Sequence, residues 1–105
     1  MINPSLTLPQ QQLAEFFRRW KVIEFSLFGS ALRVDFRPDS DVDVLVTFAA
    51  DAQWSLFDHA AMQQEHEVLF KRKVDLVSRR AIERSTNWIR REAILSTAEP
   101  FYVAR

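Results

Sequence analysis

Asp41 and Asp43 stand two residues apart in Ser40-Asp41-Val42-Asp43-Val44-Leu45-Val46. The density of Val and Leu predicts a strand over 42–48, central in its sheet. Successive strand side chains point to opposite faces, so both carboxylates share one face, about 6.6 Å apart along the backbone. Val42 and Val44 then point into the core. Two carboxylates held side by side repel each other unless a cation lies between them. Hard Mg²⁺ takes oxygen ligands and is commonly held by one or two carboxylates plus substrate phosphates. The pair is a candidate metal site; the plainer reading is a solvated Asp-x-Asp at the open end of a strand.

Gly29 and Ser30 follow a second predicted strand, Val22 to Phe28, in which Ile23, Phe25 and Leu27 alternate with Glu24 and Ser26. Gly29 is the one glycine of the chain. After a strand, glycine lets the backbone approach a ligand and take a turn closed to other residues. A helix beginning after Ser30 would aim free N–H groups and the Ser hydroxyl beyond the strand end, where the β- and γ-phosphates of a nucleotide fit. The alternative is a strand-to-helix turn with Ser30 as an ordinary cap.

Asp75 interrupts the apolar run of Lys73-Val74-Asp75-Leu76-Val77, a short third strand. Buried alone, the acid would be costly, so it needs a cation, a hydrogen-bonding partner or an exit to water. If this strand lies beside that of Asp41 and Asp43, the three acids converge. Such a set suits two metal ions about 3.5–4 Å apart, with Asp75 helping to take the proton of an attacking hydroxyl. Pairing with Lys73, Arg72 or Arg79 at a strand edge is the competing reading.

The elements that must position these residues can be read from periodicity. Pro9 suits the first position of a helix, with Thr7 or Leu8 just outside, and Leu13, Phe16, Phe17 and Trp20 form its apolar stripe. Residues 31–40 hold a short helix stopped by a turn at Pro38-Asp39-Ser40. Ser55 can cap a helix with Phe57, Ala61 and Val68 on one side. From Ser78 a further helix carries Ile82, Ile89 and Ala93, and Phe101-Tyr102-Val103 can add an edge strand after Pro100. Trp54, Trp88 and the Phe101-Tyr102 pair either complete a small core or anchor a partner. His59 and His66 have no third ligand at metal spacing and read as surface or partly packed residues. The expected fold is α/β (α+β): a small mixed sheet with helices mainly on one face, in a single domain over 1–105.

Composition narrows the function classes. The 105 residues carry no cysteine, which excludes a thiolate metal site or a Cys nucleophile. There is no basic leader with an apolar stretch behind it, and no apolar run near the ~20 residues of a membrane span. A cytoplasmic protein without membrane contact is expected. The net charge of zero hides a division. Residues 35–70 hold eight acids against Arg37 alone, whereas 71–91 hold eight bases against Asp75 and Glu83. An acidic block for cations followed by a basic block for an anion suits metal-assisted phosphate chemistry, although two oppositely charged solvated faces would read the same. The arginines of 79–91 could grip a triphosphate, an acidic partner face or RNA. Few aromatics lie among them, so direct nucleic-acid binding is the weakest of the three.

The combination Gly29-Ser30-x10-Asp41-x-Asp43, with Ser40 before the first acid and Asp75 after, resembles the nucleotidyltransferase superfamily of DNA polymerase beta. The short length is similar to its minimal nucleotidyltransferases (MNT), the MntA-type antitoxin halves of HEPN–MNT toxin–antitoxin pairs. The resemblance implies that Gly29 and Ser30, with Ser40, hold the triphosphate of ATP. It implies that Asp41, Asp43 and Asp75 bind two Mg²⁺ ions and that Asp75 assists the nucleophile. Arg33 stands where these proteins usually carry an arginine, and would support the phosphates or the acidic loop. Val34 replaces the glycine that commonly follows, which bears on the loop's path rather than the metal site.

The implied activity is transfer of AMP from ATP to a tyrosine of a partner HEPN ribonuclease, silencing it. With no residues expected to remain for an acceptor-binding domain, the acceptor surface would come from that partner. Two other functions compete: neutralisation of the toxin by occlusion alone, and nucleotidyl transfer to a small molecule or nucleic acid. Intact Gly-Ser and three carboxylates favour catalysis over occlusion, which has no need of adjacent like charges.

Overall fold

The computed structural model describes residues 9–32 and 41–103. Helix α1 (Gln10–Arg19) leads into strand β1 (Val22–Phe28) and a 3-10 turn over Gly29–Leu32. Strand β2 (Val42–Phe48), helix α2 (Leu56–Phe70) and strand β3 (Val74–Ser78) follow, then α3 (Arg79–Glu83), α4 (Trp88–Thr97) and β4 (Glu99–Val103). The sheet is mixed, in the order β3-β2-β1-β4. β1 runs antiparallel to both β2 and β4, while β2 and β3 are parallel. A parallel pair needs a long crossover, and α2 supplies it.

Alternation along the strands divides the core. Phe25, Leu27, Val42, Val44, Val46 and Leu76 face α1 and α2, where they meet Leu13, Phe16, Phe17, Met62 and Phe70. The other face is thinner: Phe28 and Leu45 pack with Ile82 of α3 and Ile94 of α4. Most of the burial thus lies on one side, as expected, and the second side keeps room for polar groups. Among the described residues no helix is long and apolar enough to cross a membrane.

Several local expectations are corrected. Ile23 does not alternate into the core, because a bulge between Val22 and Glu24 turns it out and puts Val22 inside. α2 begins where the sequence indicates: Ser55 and Asp58 form a reciprocal capping box. Its buried stripe is Met62, His66 and Phe70, however, and Phe57 and Val68 are exposed. The reason lies at the sheet edge. The N–H groups of Val74 and Leu76 on β3 donate to Glu67 Oε2 and Gln63 Oε1 of α2, both at 3.4 Å. Turning that polar row toward β3 rotates the predicted stripe into solvent. The segment after Ser78 is two helices, with Asn87 capping the second, so Ile94 is buried while Ile89 stays exposed. Pro9 occupies the cap position of α1 rather than its first turn; Thr7, Leu8 and the turn at 38–40 lie outside the described residues.

His66 is also a correction, being wholly buried. Its ring lies 4.1 Å from that of Phe16 and 5.5 Å from that of Phe25. Nδ1 is 3.0 Å from the Met62 carbonyl, so in the neutral ring it is the nitrogen that donates. Nε2 meets no partner. Burial pushes the pKa down to about 4, against smaller upward pulls from the Met62 hydrogen bond and the charge of Glu65. Trp54, Phe101 and Tyr102 pack against the core, whereas Trp88 is exposed.

Candidate active site

The site forms where three strands end or begin on the thinner face. Asp43 is paired in register with Asp75 on the parallel neighbour β3, and with Phe28 on the antiparallel neighbour β1. Register partners in adjacent strands project to the same face, about 4.8 Å apart between strands. The two carboxylates are therefore brought together by the sheet itself. Neither depends on a loop.

Gly29 follows directly after Phe28 and has φ +66°. That left-handed conformation disfavours any residue with a Cβ. A Cβ at this position would also overlap Oδ2 of Asp43 and lie 3.2 Å from its Cγ. The lone glycine thus meets two requirements at once, a turn after β1 and space for a carboxylate. Gly29 and Ser30 belong to a 3-10 turn over Gly29–Leu32, and the rest of the helix expected after Ser30 lies outside the described residues.

Asp41 sits one residue before β2, exposed, and the adjacent Val42 N–H is tied to the Lys73 carbonyl. Two residues ahead of Asp43, it lies at the same end of the strand. Among the described residues no three carboxylate or imidazole side chains stand close enough together to hold a metal ion as they are. The association that the sheet builds directly is the Asp43–Asp75 pair. Arg33 and Ser40 lie outside the described residues.

Asp75 is half exposed, open to a ligand, and Nη2 of Arg90 on α4 reaches its Oδ2 at 4.0 Å. Arg79, one of the bases considered as its partner, is taken up by Glu24 and Glu83, each at 3.6 Å. Sequence reasoning did not single out Arg90. It lies fifteen residues from Asp75, on another element, and no spacing rule links them. Beside these groups runs a groove of about 630 Å³ along β3, between α3 and the start of α2. Asp75, Ser78, Arg80, Arg90 and His59 contribute its polar lining, and Phe48, Trp54, Leu56 and Met62 its apolar one.

Carboxylates and a glycine turn at one end of the sheet suit a cation and a phosphorylated ligand. Residues 10–98 match the model of the nucleotidyltransferase domain, and the chain belongs to that family. Within it, the chain stands with the minimal, MntA-type members. It is 34% identical over 82 residues to the protein adenylyltransferase MntA of Thermococcus cleftensis, with 78% of each chain covered. A solved structure described as a minimal nucleotidyltransferase matches with a TM-score of 0.65 at 32% identity, over 88% of this chain and 90% of that one. A toxin–antitoxin crystal structure with AMP-PNP matches with a TM-score of 0.67, over 93% of this chain and 76% of that one. At 20% identity that last likeness speaks for the fold alone.

Proposed function

We propose that the chain transfers AMP from ATP, with Mg²⁺, to a tyrosine hydroxyl of a HEPN-domain toxin and thereby neutralises it as an antitoxin. The observation that carries this reading is the placement of Asp43 between two neighbours, Gly29 just after β1 and Asp75 on β3. The donor set fits Mg²⁺: hard oxygens, two of the carboxylates fixed by strand register, beside a glycine that has no side chain to block phosphates. Asp43 and Asp75, with Asp41 adjacent, would hold the metal; two ions are the number expected for a shared carboxylate set. When bound, Mg²⁺ supplies positive charge that offsets the charge developing on the phosphoryl oxygens and the leaving pyrophosphate.

The chain's own residues supply position. Backbone N–H groups of the Gly29–Ser30 turn, with Arg33 and Ser40, hold the triphosphate. Asp75 accepts the proton of the entering hydroxyl. Such a transfer is mostly alignment and charge neutralisation, which a few residues on rigid strands can provide. The family relationship to MntA and the MNT-type fold support the protein acceptor.

Mass spectrometry of the HEPN partner after incubation with this chain, Mg²⁺ and labelled ATP tests the reading. The expected result is addition of AMP that disappears with the Asp41→Asn/Asp43→Asn chain. An unmodified partner, bound and silenced equally by both chains, would replace catalysis with occlusion. AMP found instead on a small molecule or an oligonucleotide would replace the acceptor class.

A further inference from the structure

Arg90 brings a positive charge to the carboxylates of the thinner face. α4 packs on that face through Ile94, against Phe28 and Leu45. Arg90 precedes Ile94 by one turn and so projects from the same side of the helix. There its Nη2 lies 4.0 Å from Oδ2 of Asp75. Its backbone is pinned as well, since its N–H donates to Oδ1 of the cap residue Asn87.

A structural clamp does not account for the pair. At 4.0 Å it is longer than a hydrogen bond, and both side chains are about half exposed, so it adds little to stability. Its place is unfavourable too: the first turn of a helix favours acids, and that of α4 has none but carries Arg90 and Arg91. Neighbouring arginines are engaged elsewhere. Arg91 donates to the Ser85 carbonyl at 3.0 Å, and Arg79 lies between Glu24 and Glu83. Among the described residues, Arg90 is the base that meets Asp75.

We propose that Arg90 is a further nucleotide-binding residue that exchanges partners, leaving Asp75 for a phosphate oxygen when Mg²⁺ and the triphosphate enter; the inference rests on the nucleotidyl-transfer reading above. A cation on the Asp75 carboxylate and a guanidinium beside it repel each other. The ion pair is weak enough to break, and the long side chain has room to turn. The anion that arrives with the metal is the triphosphate, which a guanidinium can hold through two parallel N–H···O bonds. Cation and nucleotide binding are thereby coupled. Mg²⁺ alone displaces Arg90 with no anion to receive it, whereas ATP supplies one.

The test is a pair of titrations on the intact chain, Arg90→Ala and Arg90→Lys, with no acceptor present. Arg90→Ala should bind Mg²⁺ alone about two- to five-fold more tightly than the parent at low salt. It should bind ATP at saturating Mg²⁺ about ten-fold or more weakly. Arg90→Lys keeps the charge but not the fork. Its Mg²⁺ affinity should stay near that of the parent while its ATP affinity recovers only in part. The Tm of all three chains should agree. Opposite signs are the signature, because a role in folding alone would move both affinities together or neither. Affinities that change in the same direction, or an ATP affinity indifferent to Arg90→Ala, overturn the proposal. A parent chain that binds ATP with Mg²⁺ in the expected pattern but transfers no AMP leaves the exchange standing and overturns the transfer reading. One that binds neither overturns both.

Discussion

Gly29 stands against the carboxylate of Asp43 with no room for a side chain between them. Gly29→Ala therefore has two effects. Holding alanine at φ +66° costs about 1–2 kcal/mol, which lowers Tm by roughly 4–8 °C per kcal/mol in a chain of this size. The new methyl group also pushes Asp43 aside. The expected outcome is a modest Tm loss with a much larger loss of nucleotidyl transfer, measured at a temperature where the variant is folded. Activity falling only in proportion to the folded fraction would detach Gly29 from the site.

Asp43→Asn removes one of two like charges held side by side on β2 and β3. Far-UV circular dichroism and Tm should stay close to those of the parent chain, since Asn fits the same space. Mg²⁺-dependent ATP binding, read by calorimetry, should weaken roughly ten-fold or more. A variant that unfolds would instead assign Asp43 a structural role.

Arg90 holds a positive charge 4.0 Å from Asp75, where a divalent cation is expected to sit. Its substitution by alanine should tighten Mg²⁺ binding by about two- to five-fold at low salt, the scale of an exposed ion pair. The gain should shrink as salt is added. Weaker Mg²⁺ binding in Arg90→Ala would show that Arg90 supports the cation site rather than opposing it.

His66 makes stability depend on pH. Its pKa falls from 6.5 to about 4 on folding, so the unfolded chain binds the proton more readily between those values. The stability it contributes is complete above about pH 6.5 and is lost as pH falls toward 4, by up to about 3 kcal/mol. Urea unfolding at pH 7 and pH 4.5 measures the difference. His66→Leu, which also removes an unpartnered Nε2, should flatten this dependence. An equally steep loss in that variant would assign the acid sensitivity to other groups.

Part of the candidate site is legible in the sequence because strand geometry is strict. Alternation along β2 puts Asp43 on the face opposite Val42 and Val44, and an acid inside the apolar run Val74–Val77 marks Asp75, whereas Asp41 stands one residue outside the strand. Helix rotation is another matter. α2 offers two apolar stripes, Phe57-Ala61-Val68 and Met62-His66-Phe70, and a histidine in the second disguises it. The choice is made by the edge of β3, whose N–H groups draw Gln63 and Glu67 inward, a contact between two elements that the periodicity of α2 does not record. Arg90 at Asp75 is a meeting of separate elements of the same kind.

The stripe assignment has its own check. Phe57→Ser should leave Tm nearly unchanged, because the side chain is 88% exposed. Met62→Ala, by contrast, should cost about 2–5 kcal/mol. Comparable Tm losses in the two variants would overturn the rotation of α2.

Gln63 and Glu67 also act as a selvedge, the finished margin that keeps woven cloth from unravelling or being stitched to another piece. With its outward N–H groups engaged, β3 offers little template for a foreign strand to extend the sheet into a fibril. Asp75 can thus be carried on an outermost strand, within reach of incoming chains, without that strand becoming a seed for aggregation.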